Sequence, residues 1–142
     1  NSGVKYFVNE SYNSGMSAIG LEYQVLDDAK HPDAKLGTVG NRTLASLYDI
    51  IPSNKIDGRF QKKIGEWNQG RIIVYPNNIV QHWLNGFKVV EYERKSNIFK
   101  VLVAHSKHKV WDGFGAQDSG PILFQEHGDS VFYKNIKIRE IN

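Results

Sequence analysis

The sequence predicts one mainly antiparallel β domain, built as a sandwich or a barrel. Three observations point to this class. Apolar and polar residues alternate along several segments, β-branched runs stop at turn residues, and an Asn-Gly pair joins two of these runs. The chain has 142 residues, 40% of them hydrophobic and 23% charged, which suits one globular domain with a sizeable core.

The first two strands are predicted near the start of the chain. Residues 4–8 form a short apolar run, and residues 20–27 alternate in polarity. The alternation places Glu22 and Gln24 on one face of the second strand and Tyr23 on the other. A charge inside a sandwich must line a wet groove or be paired, although a solvent-facing strand residue fits the same pattern.

A three-stranded unit is predicted in the middle of the chain. Residues 71–75 are rich in β-branched side chains and end at a Pro-Asn-Asn turn, and residues 79–84 return. Asn85-Gly86 is a strong hairpin signal, so residues 87–92 complete the unit.

Another hairpin is predicted at the end of the chain. Residues 121–125 and 131–141 flank His127-Gly128-Asp129, whose residue types favour a turn. Gln125 and His127 then share a face.

The segment around residue 47 leaves two interpretations open. Four apolar side chains fall at the spacing of a helix face, and they are Leu44, Leu47, Tyr48 and Ile51. Pro52 would end such a helix. The pattern alone favours a short amphipathic helix, and a strand is the alternative.

Two longer stretches, residues 28–41 and 106–120, are predicted to be loops. Both are rich in Gly, Asp, Lys and His. Loops of about 14 residues in a compact domain are often functional.

The composition excludes several functional classes. The net charge is +3, but no basic run exceeds Lys62-Lys63, so no nucleic-acid partner is predicted. Cysteine is absent, which excludes disulfides, thiolate metal sites and cysteine nucleophiles in this chain. No apolar run approaches the roughly 18 residues that span a bilayer, so no membrane span is predicted.

Several phrases in a fixed order carry a family resemblance. They are Asn1-Ser2-Gly3-Val4, Glu22-Tyr23-Gln24-Val25-Leu26-Asp27, Leu47-Tyr48-Asp49, Gly65-Glu66-Trp67-Asn68, His82-Trp83-Leu84-Asn85-Gly86 and Gln125-Glu126-His127-Gly128-Asp129, followed by Phe132-Tyr133-Lys134-Asn135-Ile136-Lys137-Ile138-Arg139. Together they resemble the 3-keto-disaccharide hydrolase family, the domain of unknown function 1080, along essentially the whole chain.

The resemblance implies a fold and a location. The expected fold is all-β, a two-sheet antiparallel jelly-roll sandwich of the concanavalin A-like kind with a substrate groove on its concave face. Residues 1–142 would form a single jelly-roll domain that lacks the N-terminal strands of the family domain. In that family residues 47–49 belong to a strand, which favours the strand over the helix. The family is chiefly bacterial, and the resemblance suggests a periplasmic or secreted protein. Residues 107–120, and Pro121 where the family often has His, depart from its pattern.

The resemblance also implies cleavage of glycosides already oxidised to a ketone at C3. A C3 carbonyl acidifies the C2 proton, so the C1 substituent can leave by elimination, and the glycal formed can take up water. This chemistry requires a general base, a donor or cation for the enolate, and an acid for the leaving oxygen. An ordinary glycosidase instead uses two carboxylates at a set separation.

Three residues are candidates for catalysis. Glu22, on the predicted groove face, is the first candidate for the acid–base role. His127 is the second, because a neutral imidazole transfers protons near neutral pH; a turn histidine that only caps backbone groups is the alternative. Lys107 is a candidate for stabilising the enolate, and a mobile basic surface is its alternative.

Six further residues are candidates for binding a saccharide substrate, and they are Gln24, Asp49, Arg71, His82, Trp111 and Gln125. Strand neighbours point to opposite faces, so Trp83 in the core would leave His82 towards the groove. Tyr48 and Asp49 oppose each other in the same way, and either could line the site. Trp111 lies in a Gly-rich loop, where its ring could stack on a sugar.

Other interpretations remain open. A carbohydrate-binding module without turnover would use the same aromatic platforms, and a protein-interaction sandwich would expose an apolar patch. No cofactor is predicted. A structural or catalytic divalent metal stays open, through His105 and His108 or the acidic pair Asp27-Asp28. The oligomeric state is not predicted.

Overall fold

The computed structural model describes residues 1–13, 18–55 and 60–141. Strands dominate this part of the chain, with one α-helix and two short 3-10 helices. In chain order the main elements are β1 (Ser2–Asn13), β2 (Ala18–Val25), β3 (Gly70–Val74), β4 (Ile79–Leu84), β5 (Phe87–Glu93), α1 (Asn97–Ala104) and β6 (Leu123–Phe124). The 3-10 helices are Pro32–Lys35 and Lys107–Val110.

The strands form two antiparallel sheets. One has the order β2-β1-β6 and the other β3-β4-β5. In the second sheet Asn85 and Gly86 both have positive φ, 50° and 88°, as a tight hairpin turn requires. The fold is therefore an all-β sandwich, as predicted, and the three-stranded unit of the middle of the chain is confirmed.

The core lies between the two sheets. Leu21 and Tyr23 of β2 meet Val80 and Leu84 of β4, and each of these side chains is buried. Glu22 alternates with these core residues and lies on the opposite face of β2, yet it is also buried. The far face of β2 is therefore covered by other parts of the chain.

His82 lies in the core, which corrects the expectation that it faces a groove. Its side chain is 0% exposed, with Nε2 2.7 Å from Tyr6 Oη and Nδ1 3.0 Å from the Ala45 carbonyl oxygen. Tyr6 Oη also lies 2.8 Å from Tyr92 Oη. Burial lowers the pKa of His82 to about 4, so the imidazole is neutral. Satisfied polar partners make a core histidine tolerable, and Trp83 takes the half-buried face instead.

The segment around residue 47 is neither a helix nor a continuous strand. Leu47 makes isolated antiparallel bridges to Tyr23 and Ile51. Ala45 and Asp49 have φ of 66° and 62°, a left-handed conformation that interrupts both regular structures. The apolar spacing that suggested a helix comes from a tightly turned segment that packs on β2.

The prediction that residues 131–141 form the second strand of the last hairpin is wrong. Leu123–Phe124 is a two-residue strand that pairs with Val4 and Lys5 of β1, but residues 131–141 form no strand. Phe132 and Ile138 in this stretch are exposed. Alternation alone does not make a strand, because a strand also needs a neighbour for its backbone hydrogen bonds.

The helix α1 was not anticipated from the sequence. Ser96 caps its first turn by accepting from Phe99 N, and Phe99 stacks on Tyr92 with ring centroids 5.5 Å apart. The helix leads directly into residues 106–110. It therefore sets where the loop that carries Lys107 begins.

Candidate active site

A cavity of about 480 Å³ opens on the face of β1 and β2 that points away from the core. Its volume lies within the range of small-molecule sites. The floor is formed by Lys5, Glu22 and Gln24; the walls by Asp33, Tyr48, Lys107, His108 and Trp111; and Gln125 and His127 close another side. Both predicted loops thus contribute side chains to the walls above a polar sheet surface.

Glu22 is the central acidic group of the floor. Its side chain is 6% exposed. Desolvation raises the pKa of Glu22 to about 7, with the charge of Asp33 acting in the same direction and the charges of Lys5 and Lys107 opposing it. A carboxyl with this pKa both accepts and returns a proton at neutral pH.

A glycine makes room for the Glu22 carboxyl group. A Cβ atom on Gly3 would lie 2.2 Å from Glu22 Oε1, so the carboxyl group rests directly over the bare backbone of β1. Gln24, with its amide oriented to satisfy its neighbours, donates to Glu22 Oε1 at 3.0 Å and to the Ser2 carbonyl oxygen at 3.1 Å. The carboxyl group is therefore held in one place on the sheet.

Lys5 lies beside Glu22 in the adjacent strand. The antiparallel register pairs the two residues directly, and both line the cavity. Lys5 is 4% exposed and donates to the Ala18 carbonyl oxygen at 3.1 Å. Burial lowers the pKa of Lys5, while the charge of Glu22 works to raise it.

Asp49 lies beneath the cavity wall and does not line the cavity. It accepts from Arg42 Nε at 2.6 Å and from the backbone N–H of Lys107 at 2.7 Å. The left-handed backbone at Asp49 aims the carboxylate at both donors. Asp49 therefore fixes the loop that carries Lys107 rather than meeting a ligand, which corrects its expected substrate-binding role.

Asp33 is the second carboxylate of the cavity. It accepts from Arg42 Nη1 at 2.8 Å through Oδ1 and from Tyr48 Oη at 2.7 Å through Oδ2. Burial works to raise the pKa of Asp33, but the hydrogen bonds from Tyr48 and Arg42 more than offset it, so the pKa falls below its ordinary value. Asp33 stays ionised and fully engaged.

Lys107 and His108 line the wall next to Tyr48. The ammonium of Lys107 lies 4.0 Å from the ring centre of Tyr48, and partial desolvation lowers its pKa although the side chain is largely exposed. His108 stacks on Phe114 with centroids 4.2 Å apart, and its Nε2 lies 3.3 Å from the Tyr48 carbonyl oxygen. Burial lowers the pKa of His108 to about 4, so this histidine is neutral.

Trp111 gives the cavity an aromatic edge. Its half-buried ring lies 5.6 Å from the ring of Tyr12, tilted by 32°. Tyr12 donates to the Asp112 carbonyl oxygen, which ties the end of β1 to the loop.

Gln125 is joined to β1 by a backbone hydrogen bond to Gly3 O at 2.9 Å and by Ser2 Oγ, which donates to Gln125 O at 2.6 Å.

The structure brings together six of the nine residues that the sequence singled out. Glu22, Gln24, Lys107, Trp111, Gln125 and His127 all line the cavity. Asp49 and His82 lie beneath the surface, and Arg71 is exposed on β3, where it lines a separate open recess. Of the two neighbours 48 and 49, Tyr48 is the one that faces the cavity.

Sequence reasoning did not assign Lys5 and Asp33 to the site, nor His108 to its wall. The position of Lys5 could have been predicted in part, because it lies two residues after Gly3 and therefore on the same face of β1. Asp33 and His108 are loop residues, and no periodic pattern reports where a loop side chain points.

Among residues 1–13, 18–55 and 60–141, no group of three or more His, Asp or Glu side chains is arranged to hold a metal ion. Asp27 accepts from the backbone N–H groups of Ala29 and Lys30, and Asp28 from Leu44 N and Lys55. In the same ranges no helix has the length and apolarity to cross a bilayer.

Known proteins resemble this chain in sequence. Residues 1–139 match the family described as the 3-keto-alpha-glucoside-1,2-lyase-like domain. The chain is 35% identical to a protein of Bacteroides thetaiotaomicron named 3-keto-disaccharide hydrolase, over 100% of this chain and 54% of that protein. The chain thus spans about half the length of this curated relative.

A solved structure has the same fold. The crystal structure of a proposed glycosyl hydrolase from Parabacteroides distasonis superposes with a TM-score of 0.72 and 26% sequence identity, covering 90% of this chain and 59% of that one. Sequence and fold point the same way, and the chain belongs to the 3-keto-alpha-glucoside-1,2-lyase-like domain family.

Proposed function

We propose that this protein cleaves glycosides carrying a ketone at C3, by removing the C2 proton and eliminating the C1 substituent, with Glu22 as the acid–base group. One observation carries the proposal: a buried carboxyl group with a pKa of about 7 lies on the floor of a cavity large enough for a saccharide. Lys5 and Lys107 supply positive charge around it.

The proposed reaction proceeds in two steps. The Glu22 carboxylate takes the C2 proton, the electrons of the C2–H bond form a C2=C3 double bond, and the C3 oxygen becomes negative. The enolate then re-forms the C3 carbonyl and a C1=C2 double bond, and the C1 oxygen leaves with its electron pair. His127, on the cavity lining, is the proposed proton donor to that oxygen, and addition of water to the resulting glycal would make the net reaction a hydrolysis.

The carboxylates argue against an ordinary two-carboxylate glycosidase mechanism. Asp33 is the other carboxylate among the described residues that line the cavity. Both of its oxygens already accept hydrogen bonds, from Arg42 and Tyr48. A general base or nucleophile needs an oxygen that can reach the substrate or its water, so Asp33 is poorly suited to that role.

The relatives support the substrate class. The family description names a 3-keto-alpha-glucoside 1,2-lyase, and the Bacteroides relative is named a 3-keto-disaccharide hydrolase. These two names correspond to elimination alone and to elimination followed by addition of water. We extend the shared part, a 3-keto-glycoside substrate, to this protein.

The proposal is tested by an NMR time course with a 3-keto-glucoside and, in parallel, its unoxidised parent. We expect turnover of the keto compound alone, with loss of the C2 proton signal in D₂O. Glu22→Gln should abolish turnover, whereas Glu91→Gln, at an exposed site on β5, should leave it unchanged. Cleavage of the parent glucoside at a comparable rate would contradict elimination chemistry.

A carbohydrate-binding module is the second candidate, and the aromatic edge of the cavity favours it. Trp111 beside Tyr12 offers the kind of surface on which a sugar ring stacks. A module of this kind needs no group with a shifted pKa. Saturable binding of both sugars without turnover, reduced by Trp111→Ala but not by Glu22→Gln, would establish this function instead.

A further inference from the structure

We propose that Lys5 is a catalytic residue whose ammonium group takes the negative charge that develops on the C3 oxygen when Glu22 removes the C2 proton. This inference rests on the proposed function and assigns the electrophile within it. The sequence pattern pointed to Lys107 for this task, whereas the structure favours the lysine on the sheet.

The first argument is the spacing of the two groups. Lys5 and Glu22 are direct cross-strand partners in the antiparallel pair of β1 and β2. Such partners project from the same face, with Cβ atoms roughly 4.5–5.5 Å apart. The C2 proton and the C3 oxygen sit on adjacent carbon atoms of the substrate, so the base and the electrophile must act at neighbouring points. A cross-strand pair meets that requirement.

The second argument is rigidity and burial. Lys5 lies on β1, which has β2 on one side and β6 on the other, and its side chain is 4% exposed. Lys107 lies on a 3-10 turn, with its ammonium over the Tyr48 ring. Burial lowers the pKa of both lysines, so the strand is what distinguishes Lys5. A charge held in place on a sheet stabilises a developing oxyanion without the reorganisation that a loop requires.

The third argument is that Lys5 has a negatively charged partner both before and after the proton transfer. Before proton transfer, the charges of the Lys5 ammonium and the Glu22 carboxylate interact. When Glu22 takes the C2 proton it becomes neutral, and the negative charge appears on the C3 oxygen. Lys5 therefore keeps an anionic partner throughout, and neither a buried cation nor a buried anion is left alone.

The step balances without a further reactant. The C2–H bond breaks and an O–H bond forms on Glu22, while the electron pair moves through C2=C3 onto the C3 oxygen. In the second step the same pair returns, the C1–O bond breaks, and the departing oxygen takes a proton. Lys5 donates a hydrogen bond in both steps and need not transfer its own proton.

The absence of cysteine from the 142 residues permits a direct chemical test. Lys5→Cys can be alkylated with 2-bromoethylamine, which restores an ammonium group at nearly the length of lysine, or with iodoacetamide, which gives a neutral adduct. Mass spectrometry confirms each modification, and circular dichroism confirms that both adducts fold. The matched controls are the same two adducts of Lys88→Cys, at an exposed position on β5.

We expect the neutral Lys5 adduct to lose about 100-fold or more in kcat on the 3-keto-glucoside, the usual effect of removing one oxyanion donor. The aminoethylated adduct should recover most of that loss. The Kd of the unoxidised parent glucoside, which forms no enolate, should differ little between them. Both Lys88 adducts should match the unmodified protein.

Three results would overturn the inference, and they are distinguishable. Equal kcat values for the two folded Lys5 adducts, in a protein whose wild type turns over the keto sugar, would remove Lys5 from catalysis and leave the proposed function intact. No turnover by the wild type would refute the proposed function, and the role of Lys5 with it. A loss confined to the Kd of the parent glucoside would make Lys5 a binding residue only.

Discussion

Gly3→Ala should displace the Glu22 carboxyl group without replacing any functional side chain. The added Cβ atom would lie 2.2 Å from Oε1 and 2.8 Å from Cδ of Glu22. Glu22 must therefore retreat by about 1 Å to reach van der Waals distance, a misplacement that can cost about 100-fold in rate. The φ angle of Gly3 lies outside the left-handed range, so alanine fits the backbone itself.

The displacement should also move the pH profile. Desolvation is the main reason that the pKa of Glu22 stands at about 7, and a carboxyl group pushed off the sheet regains water. The base must be ionised to act, so kcat/KM falls below its pKa. We expect the acidic limb of the wild-type profile near pH 7 and that of Gly3→Ala at lower pH, measured as initial rates on the 3-keto-glucoside.

The matched control is Gly70→Ala at the start of β3. Its Cβ atom would meet only the Tyr23 side chain, at 3.3 Å, and Gly70 lies outside the cavity. This variant should keep the wild-type profile. A Gly3→Ala protein with unchanged kcat and an unchanged acidic limb would refute the account of how Glu22 is held.

Three further outcomes are expected. The pKa of Glu22 is raised from 4.5 to about 7 in the folded protein, so on raising the pH Glu22 ionises in the unfolded chain before it does in the folded one. Between these two pH values the free energy of unfolding of the wild type should fall by on the order of 3 kcal/mol relative to that of Glu22→Gln. Urea titrations at several pH values measure this difference. A constant difference across that range would show that the pKa of Glu22 is not raised. Asp49→Ala removes hydrogen bonds to Arg42 and to the backbone of Lys107, so it should destabilise the protein by about 2–3 kcal/mol and raise KM; unchanged stability would remove Asp49 as an anchor. His82→Leu leaves Tyr6 one partner fewer in the core and should lower the free energy of unfolding by about 1–3 kcal/mol with kcat unchanged, whereas a selective loss of kcat would return His82 to the site.

Period-two alternation predicted the strands well because it records which side chains a sheet buries. The bounds of β4 matched the prediction, and the alternation through Tyr23 put Glu22 and Gln24 on a shared face. Alternation does not say which of the two faces is the core. For this reason the prediction placed Trp83 in the core and His82 on the other face, the reverse of what the structure shows. A histidine can be buried when both ring nitrogens have hydrogen-bond partners. The partners of His82 are Tyr6 and Ala45, which are distant in the sequence.

The rest of the site depends on contacts that no local pattern records. Lys5 meets Glu22 only through the register of β1 and β2. The turned segment at residues 44–51 depends on positive φ at Ala45 and Asp49, which only surrounding tertiary contacts can hold. The strand expected at residues 131–141 had the correct alternation but found no neighbouring strand among the described residues.

The separation of the cavity into a sheet floor and loop walls has an evolutionary consequence. The proposed base and the proposed electrophile lie on neighbouring strands, where each change of side chain also disturbs the sheet. Trp111 lies in a loop that is held by its backbone: Tyr12 donates to the Asp112 carbonyl oxygen, and the buried Arg94 donates to the carbonyl oxygens of Gly115 and Gln117. Such a loop can exchange its side chains while those anchors remain. Descendants of this protein could therefore acquire new leaving groups by loop replacement and keep the proposed reaction unchanged.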